Sequence, residues 1–247
     1  MKKILSFLLV IIQLQAFAQA QEGTVVTYEK KYFWSKIYDK LTFLSEEERS
    51  RAKTSWGSSD EGYKSRGQLF ATSAQSKYMD MEDENEGGYS WRKGEYTIYR
   101  DFDKGRKTEI EDFSGKTFII EDTLIAPAWK VLNKIKDING YMCMMATAED
   151  TIKEQKIVAW FAADVPLSVG PERYFGLPGL IMEVDVNDGE MTLTAVKVEK
   201  KAVDEDIKLP KKMKGKKLTT EEYNRMIRKF IDDSIKSRRN PYGIVRY

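Results

Sequence analysis

From Glu95 to Glu199 the chain repeats one pattern, and that pattern limits the folds open to it. Short runs of β-branched, aromatic and alternating polar residues are each closed by turn chemistry: Asp103-Lys104-Gly105, Ser114-Gly115, Asn139-Gly140 and Glu149-Asp150. The runs between them, Glu95–Asp103, Lys107–Phe113, Thr117–Glu121, Ala128–Ile135, Tyr141–Glu149 and Gln155–Ala163, have strand length. Leu180, Met182, Val184 and Val186 then alternate with Glu183 and Asp185, and Asn187-Asp188-Gly189-Glu190 turns the chain back into Met191–Glu199. Thr24–Trp34, Lys36–Leu44 and Leu69–Asp80 read as further strands, and Trp56–Gly67 as a Ser/Gly/Asp loop. The expected fold is mainly β (α+β), a curved antiparallel sheet or half-barrel.

Two segments break the strand rhythm. Ser45-Glu46-Glu47-Glu48 has the form of a capping box and opens a short helix or turn ending before Gly57. Thr219-Thr220-Glu221-Glu222 repeats the device. Behind it Tyr223, Met226, Ile227, Phe230 and Ile231 fall at helical spacing, predicting an amphipathic helix from about Thr220 to Lys236. Its apolar stripe needs a partner, and the apolar face of the sheet is the natural one. Asn240-Pro241 ends the helical stretch.

The N-terminus carries Lys2 and Lys3, an apolar run Ile4–Ile12, and the small-x-small triplet Ala16-Phe17-Ala18. That is the layout of a secretory signal peptide, residues 1–18, with cleavage after Ala18 or alternatively after Ala20. The apolar run is far short of the roughly 20 residues a membrane span needs. The expected product is one domain, 19–247, periplasmic or secreted, with no transmembrane segment after cleavage. The whole chain has 41 Lys+Arg against 39 Asp+Glu; without Lys2 and Lys3 the counts are 39 and 39. A protein-wide basic field for nucleic acid is therefore absent.

Composition removes whole classes of chemistry. With no His and one Cys, the chain has no Ser-His-Asp or Cys-His nucleophile pair, no His-ligated metal site and no intrachain disulfide. It has no phosphate-cradling glycine motif, and no cofactor is expected. Met142, Cys143, Met144 and Met145 suggest soft-metal ligation, yet strand alternation places Cys143 and Met145 on the face opposite Met142 and Met144. The acidic run Asp80, Glu82, Asp83, Glu84 and Glu86 offers calcium an alternative site without EF-hand spacing.

Gly170–Asp185 reads GPERYFGLPGLIMEVD, a stretch shaped by Gly170, Pro171, Gly176, Leu177, Pro178, Gly179, Leu180 and Ile181. Pro178 and Gly179 suit the two central positions of a type II turn, the glycine taking the positive φ. This segment resembles the GLPGLI family of secreted Bacteroidetes-type proteins, whose hexapeptide stands here intact at Gly176–Ile181. Trp129, Ile138-Asn139-Gly140-Tyr141-Met142-Cys143, Ala146, Val158-Ala159-Trp160-Phe161, Asp164-Val165-Pro166 and Gly170-Pro171 follow the same family order. Met145 departs from it, standing where a basic residue belongs.

The resemblance implies a family without an established activity, associated with outer-membrane transport components. Its strand pattern is also similar to the lipoprotein-carrier (LolA-like) half-barrels, a likeness of fold alone. Within the resembling block, Trp129, Tyr141, Trp160, Phe161, Tyr174 and Phe175 are the candidate lining of an apolar cleft. The expected function is a non-enzymatic binding or carrier module for an apolar or amphipathic ligand or an envelope partner. The alternatives are a copper- or calcium-handling envelope protein, with Cys143 and Met145 as weak ligands, and an accessory partner of an outer-membrane transport system.

Overall fold

The computed structural model describes residues 22–56, 62–81 and 95–246. The leader and the acidic run beyond Met81 lie outside them. Twelve strands form one open, mixed sheet in the order β12-β6-β5-β4-β3-β2-β1-β11-β10-β9-β8-β7. They are β1 (Glu22–Tyr32), β2 (Tyr63–Ala71), β3 (Gln75–Asp80), β4 (Tyr96–Asp101), β5 (Arg106–Phe113), β6 (Lys116–Thr123), β7 (Lys130–Ile138), β8 (Tyr141–Asp150), β9 (Gln155–Ala162), β10 (Leu180–Val186), β11 (Met191–Ala202) and β12 (Lys216–Leu218). Two antiparallel meanders, β1 to β6 and β7 to β11, meet at the β1–β11 pair; β12 alone pairs in parallel, with β6.

The connectivity itself requires strong curvature. β6 and β7 stand ten places apart in the sheet. Laid flat, that is roughly 48 Å at about 4.8 Å per strand. The link from Thr123 to Lys130 spans seven residue steps, at most about 25 Å of extended chain. The sheet must therefore curl until its two wings approach, and the link crosses between them.

Three segments fill the inner side of this curl. The long β9–β10 connection sends in Val169 and Leu177, both buried. The final helix α3 (Thr220–Lys236) lays Tyr223, Ile227 and Ile231 on Phe113, Phe118 and Ile120. Behind it, the C-terminal residues place Tyr242 against the Val184–Leu193 cluster and Val245 against the helix cluster. The connection from β11 to β12 instead covers the outer side, where Val203 and Ile207 pack on Val25.

The C-terminal helix has the predicted bounds and capping box: Thr219 Oγ1 accepts from Glu222 N–H and the Glu222 carboxylate accepts from Thr219 N–H. The Ser45–Glu48 box likewise opens α2 (Glu46–Trp56). One strand expectation fails. Lys36–Leu44 contains no strand; Trp34–Lys40 forms helix α1. Trp34, Ile37, Tyr38 and Leu41 fall at i, i+3, i+4 and i+7, a helical spacing that alternation cannot match because Ile37 and Tyr38 are adjacent, and the helix buries Ile37 and Leu41. Leu69–Asp80 holds two strands rather than one, and β2 begins at Tyr63, inside the expected loop.

The Leu177–Gly179 corner also differs in kind from a type II turn. Gly179 N–H bonds to the Leu177 carbonyl at 2.8 Å, closing a three-residue turn around Pro178. The left-handed φ belongs to Gly176, at 90°. Gly179 is required for space: a Cβ there would sit 2.3 Å from the Ala162 carbonyl oxygen.

Candidate functional site

Strand parity puts an unusual set of residues on the inner side of the N-terminal meander. Lys30 follows Val26 and Tyr28 on one face of β1, and Arg100 follows Ile98 on β4. Lys107, Glu109 and Glu111 precede Phe113 on β5. Into this charged patch the β9–β10 connection inserts two adjacent residues of opposite sign. Glu172 pairs with Lys30 and with Arg246, the latter at 2.8 Å. Arg173 holds Glu109 at 2.6 Å and Glu111 at 2.8 Å. The C-terminal segment completes the network: Arg246 forks onto both Asp80 oxygens at 2.8 and 2.7 Å and stacks 3.5 Å from the Tyr96 ring centre.

Burial makes these pairings consequential, because an ion removed from water survives only with partners. Lys30, Arg100, Glu109, Glu111 and Glu172 are all buried. Burial opposes the charge of Glu172, but Arg246 and Lys30 outweigh it and hold the carboxyl well below its ordinary range. Glu109 is likewise held low, with Arg173 and Lys107 overcoming burial. Its neighbour Glu111 is pushed up, since burial and the Glu109 charge exceed what Arg173 returns. Burial lowers Lys107 despite Glu109, and lowers Lys153 to about 8 with help from Arg173.

Beside the network lies a cavity of about 420 Å³. The sheet face, α3, the β6–β7 link at Ile125–Pro127 and the β8–β9 turn at Thr151–Lys153 enclose it. Ile98, Ile120, Ile157 and Ile227 supply apolar wall; Arg100, Lys107, Lys153 and Arg173 supply positive charge. The size lies within the range usual for small-molecule sites.

The six aromatic candidates do not gather on one surface. Phe175 lines the cavity, with Arg100 5.2 Å from its ring centre. Trp129 donates its Nε1–H to the Phe175 carbonyl at 2.8 Å and its ring lies 6.5 Å from Tyr174; both pack against the cluster holding Phe161. Tyr141 and Trp160 pack against the other main cluster, and Lys136 Nζ lies 4.6 Å over the Trp160 ring. Successive residues of a strand face opposite ways, so Trp160 and Phe161 part company.

None of the remaining candidates lines the cavity. Gly170 leaves no room for a Cβ, which would stand 2.7 Å from the Tyr174 carbonyl oxygen. Pro171, Leu180 and Ile181 are buried. Cys143 is buried and its thiol donates to the Tyr141 carbonyl at 3.3 Å, while burial pushes its pKa up to about 11. Asp80 is engaged by Arg246. Among the described residues, no group of three or more Cys, Asp or Glu is arranged to hold a metal ion, and no helix is long and apolar enough to cross a membrane.

The charged residues of the network are what sequence reasoning missed. Lys30 in a β-branched strand and Lys107-x-Glu109-x-Glu111-x-Phe113 in phase with an apolar residue were the available signals. A charged stripe ending in a buried phenylalanine is not a solvent face.

Comparison with known proteins gives a short family match and a fold match. The family model described as a protein of unknown function, Porph_ging, matches residues 147–183, which contain Lys153, Glu172, Arg173 and the first strand partner of β10. No curated protein matches. The chain is similar to PNGF-II in two crystal forms, each at TM-score 0.56 and 12% identity over 83% of this chain. The overlap spans about a third of PNGF-II, 33% and 32% of the two chains, and the likeness is one of fold.

Proposed function

We propose that this protein is a non-enzymatic binding module of the cell envelope, holding a small amphipathic ligand between its curved sheet and its last helix. The observation that carries the reading is the cavity of about 420 Å³ at that junction, walled partly by isoleucines and partly by charge. The signal-peptide layout of residues 1–18 favours a periplasmic or secreted location, and the intact GLPGLI hexapeptide favours that family. The ionic network serves as the rigid floor of the site, because paired buried ions lock the β9–β10 connection and the C-terminal segment to the sheet.

Native mass spectrometry of the protein purified from its own envelope tests this. The expected result is a small-molecule adduct that disappears in Ala148→Trp, which fills the cavity from β8. An adduct that persists in that variant, or a wild-type protein free of any adduct that also fails to take up decanoate, decyl phosphate or decyltrimethylammonium, refutes the proposal.

A further inference from the structure

The cavity wall carries Glu109, Glu111, Glu149 and Asp150 beside its cations, but places two of those cations apart from any carboxylate. Arg100 on β4 stands directly opposite Lys107 on β5, both on the inner face. Like charges placed across a strand pair repel, and burial strengthens the repulsion. Neither has a counter-ion to itself. Arg100 bonds to neutral groups, Ser76 Oγ at 3.5 Å and the Glu172 carbonyl oxygen. Lys107 reaches Glu109 Oε2 at 3.4 Å, but Arg173 already holds Glu109 through Oε1 at 2.6 and 2.9 Å.

A third cation approaches from the other wing. Lys153 in the β8–β9 turn donates to the Arg246 carbonyl. The nearby Asp150 carboxylate accepts from the Ile152 and Lys153 amides at 2.8 and 3.0 Å instead. Among the described residues, no carboxylate lies within 4.0 Å of Arg100 or Lys153, and both open on the same cavity. Arg100 is buried and Lys153 half-buried, and a cation withdrawn from water in this way costs stability unless something else completes it.

We propose that Arg100, Lys107 and Lys153 bind the acidic head of an amphipathic organic anion, a carboxylate or phosphate, whose apolar tail lies along Ile98, Ile120 and Ile227. Three cationic donors lining one cavity from two wings suit an oxyanion with several acceptor oxygens, and the isoleucine wall gives the tail a dry surface. This rests on the binding reading above and adds the charge of the ligand to it.

Calorimetric titration of the full-length mature protein with decanoate, decyl phosphate, decyltrimethylammonium and inorganic phosphate separates the outcomes. Decanoate or decyl phosphate is expected to bind at least about tenfold more tightly than either other probe, the scale of a single charge-assisted contact. Lys107→Met and Lys153→Met should each weaken that binding about tenfold, whereas Lys107→Arg and Lys153→Arg retain it. Because Lys107→Met removes a cation facing a cation, its thermal midpoint should not fall. Equal binding of decyltrimethylammonium, or Met variants that bind decanoate like wild type, leaves the amphiphile site standing and refutes its anion preference. Inorganic phosphate matching decyl phosphate refutes the tail. Absence of binding by all three decyl probes refutes both proposals. The probe series on wild-type protein decides the matter even if a variant fails to fold.

Discussion

Replacing Glu172 by glutamine removes one charge from the centre of the network and almost no volume. The wild-type carboxylate serves two cations, Lys30 and Arg246. Arg246 keeps its fork onto Asp80. Lys30, only 2% exposed, loses its paired counter-charge and is left with the neutral amide oxygen and Tyr32, whose ring lies 4.8 Å away. Breaking a buried ion pair from one side costs about 3–5 kcal/mol. Survival of the Arg246–Asp80 pair places Glu172→Gln near the lower end, about 3 kcal/mol. At this chain length, that corresponds to a fall of about 10 °C in Tm. Urea unfolding followed by tryptophan fluorescence measures the loss as a lower midpoint at unchanged m-value. The double variant Lys30→Met/Glu172→Gln should lose less than the sum of the singles, with about 2 kcal/mol of coupling. A single-variant loss below about 1 kcal/mol, or strict additivity, would show that water rather than Glu172 neutralises Lys30.

Acid should act through the same carboxylate. Its folded pKa is depressed, so its contribution is complete above the unfolded value of about 4.3 and is lost as pH falls below it. Stability measured from about pH 5 to pH 2 should decline more steeply in wild type than in Glu172→Gln, and parallel curves would remove Glu172 as the cause. Gly179→Ala drives a Cβ to 2.3 Å from the Ala162 carbonyl oxygen. It should cost about 2 kcal/mol or more in urea melts, whereas Gly243→Ala, which meets no neighbouring atom at a φ open to any residue, should cost less. The Cys143 thiol, buried and raised to about 11, should resist iodoacetamide at pH 8 until the protein is unfolded; rapid labelling of folded protein would show an open route to it.

Local patterns were legible where one segment carries its own explanation. Thr219 and Glu222 announce α3 because both halves of the capping box lie in four residues. Leu180–Val186 announces β10 through plain alternation. The ionic network was not legible in this way. Lys30 and Glu172 are 142 residues apart, and each looks like a surface residue until its partner is known. The β5 stripe of Lys107, Glu109 and Glu111 reads as a wet face because alternation records polarity and not which side is covered. Trp34–Lys40 differs for another reason: Ile37 and Leu41, four residues apart, fit both periods, and the adjacent Ile37–Tyr38 pair, which one face of a helix accommodates and one face of a strand does not, carries the distinction. The aromatic cleft was dispersed by parity, Trp160 and Phe161 taking opposite sides of β9.

The seam between the two meanders has a kinetic consequence. Within each meander consecutive strands pair, and tight reversals join β2 to β3, β4 to β5 to β6, β7 to β8 to β9, and β10 to β11, so either wing can begin from neighbouring residues. The β1–β11 ladder instead joins Glu22 to Ala202 and Tyr32 to Met191, the ends of a loop that contains nearly every other strand. Contacts of such high contact order are slow to form. The wings should assemble first and zip together only once β11 has been made, with Glu172 and Arg173 locking between them as the last step.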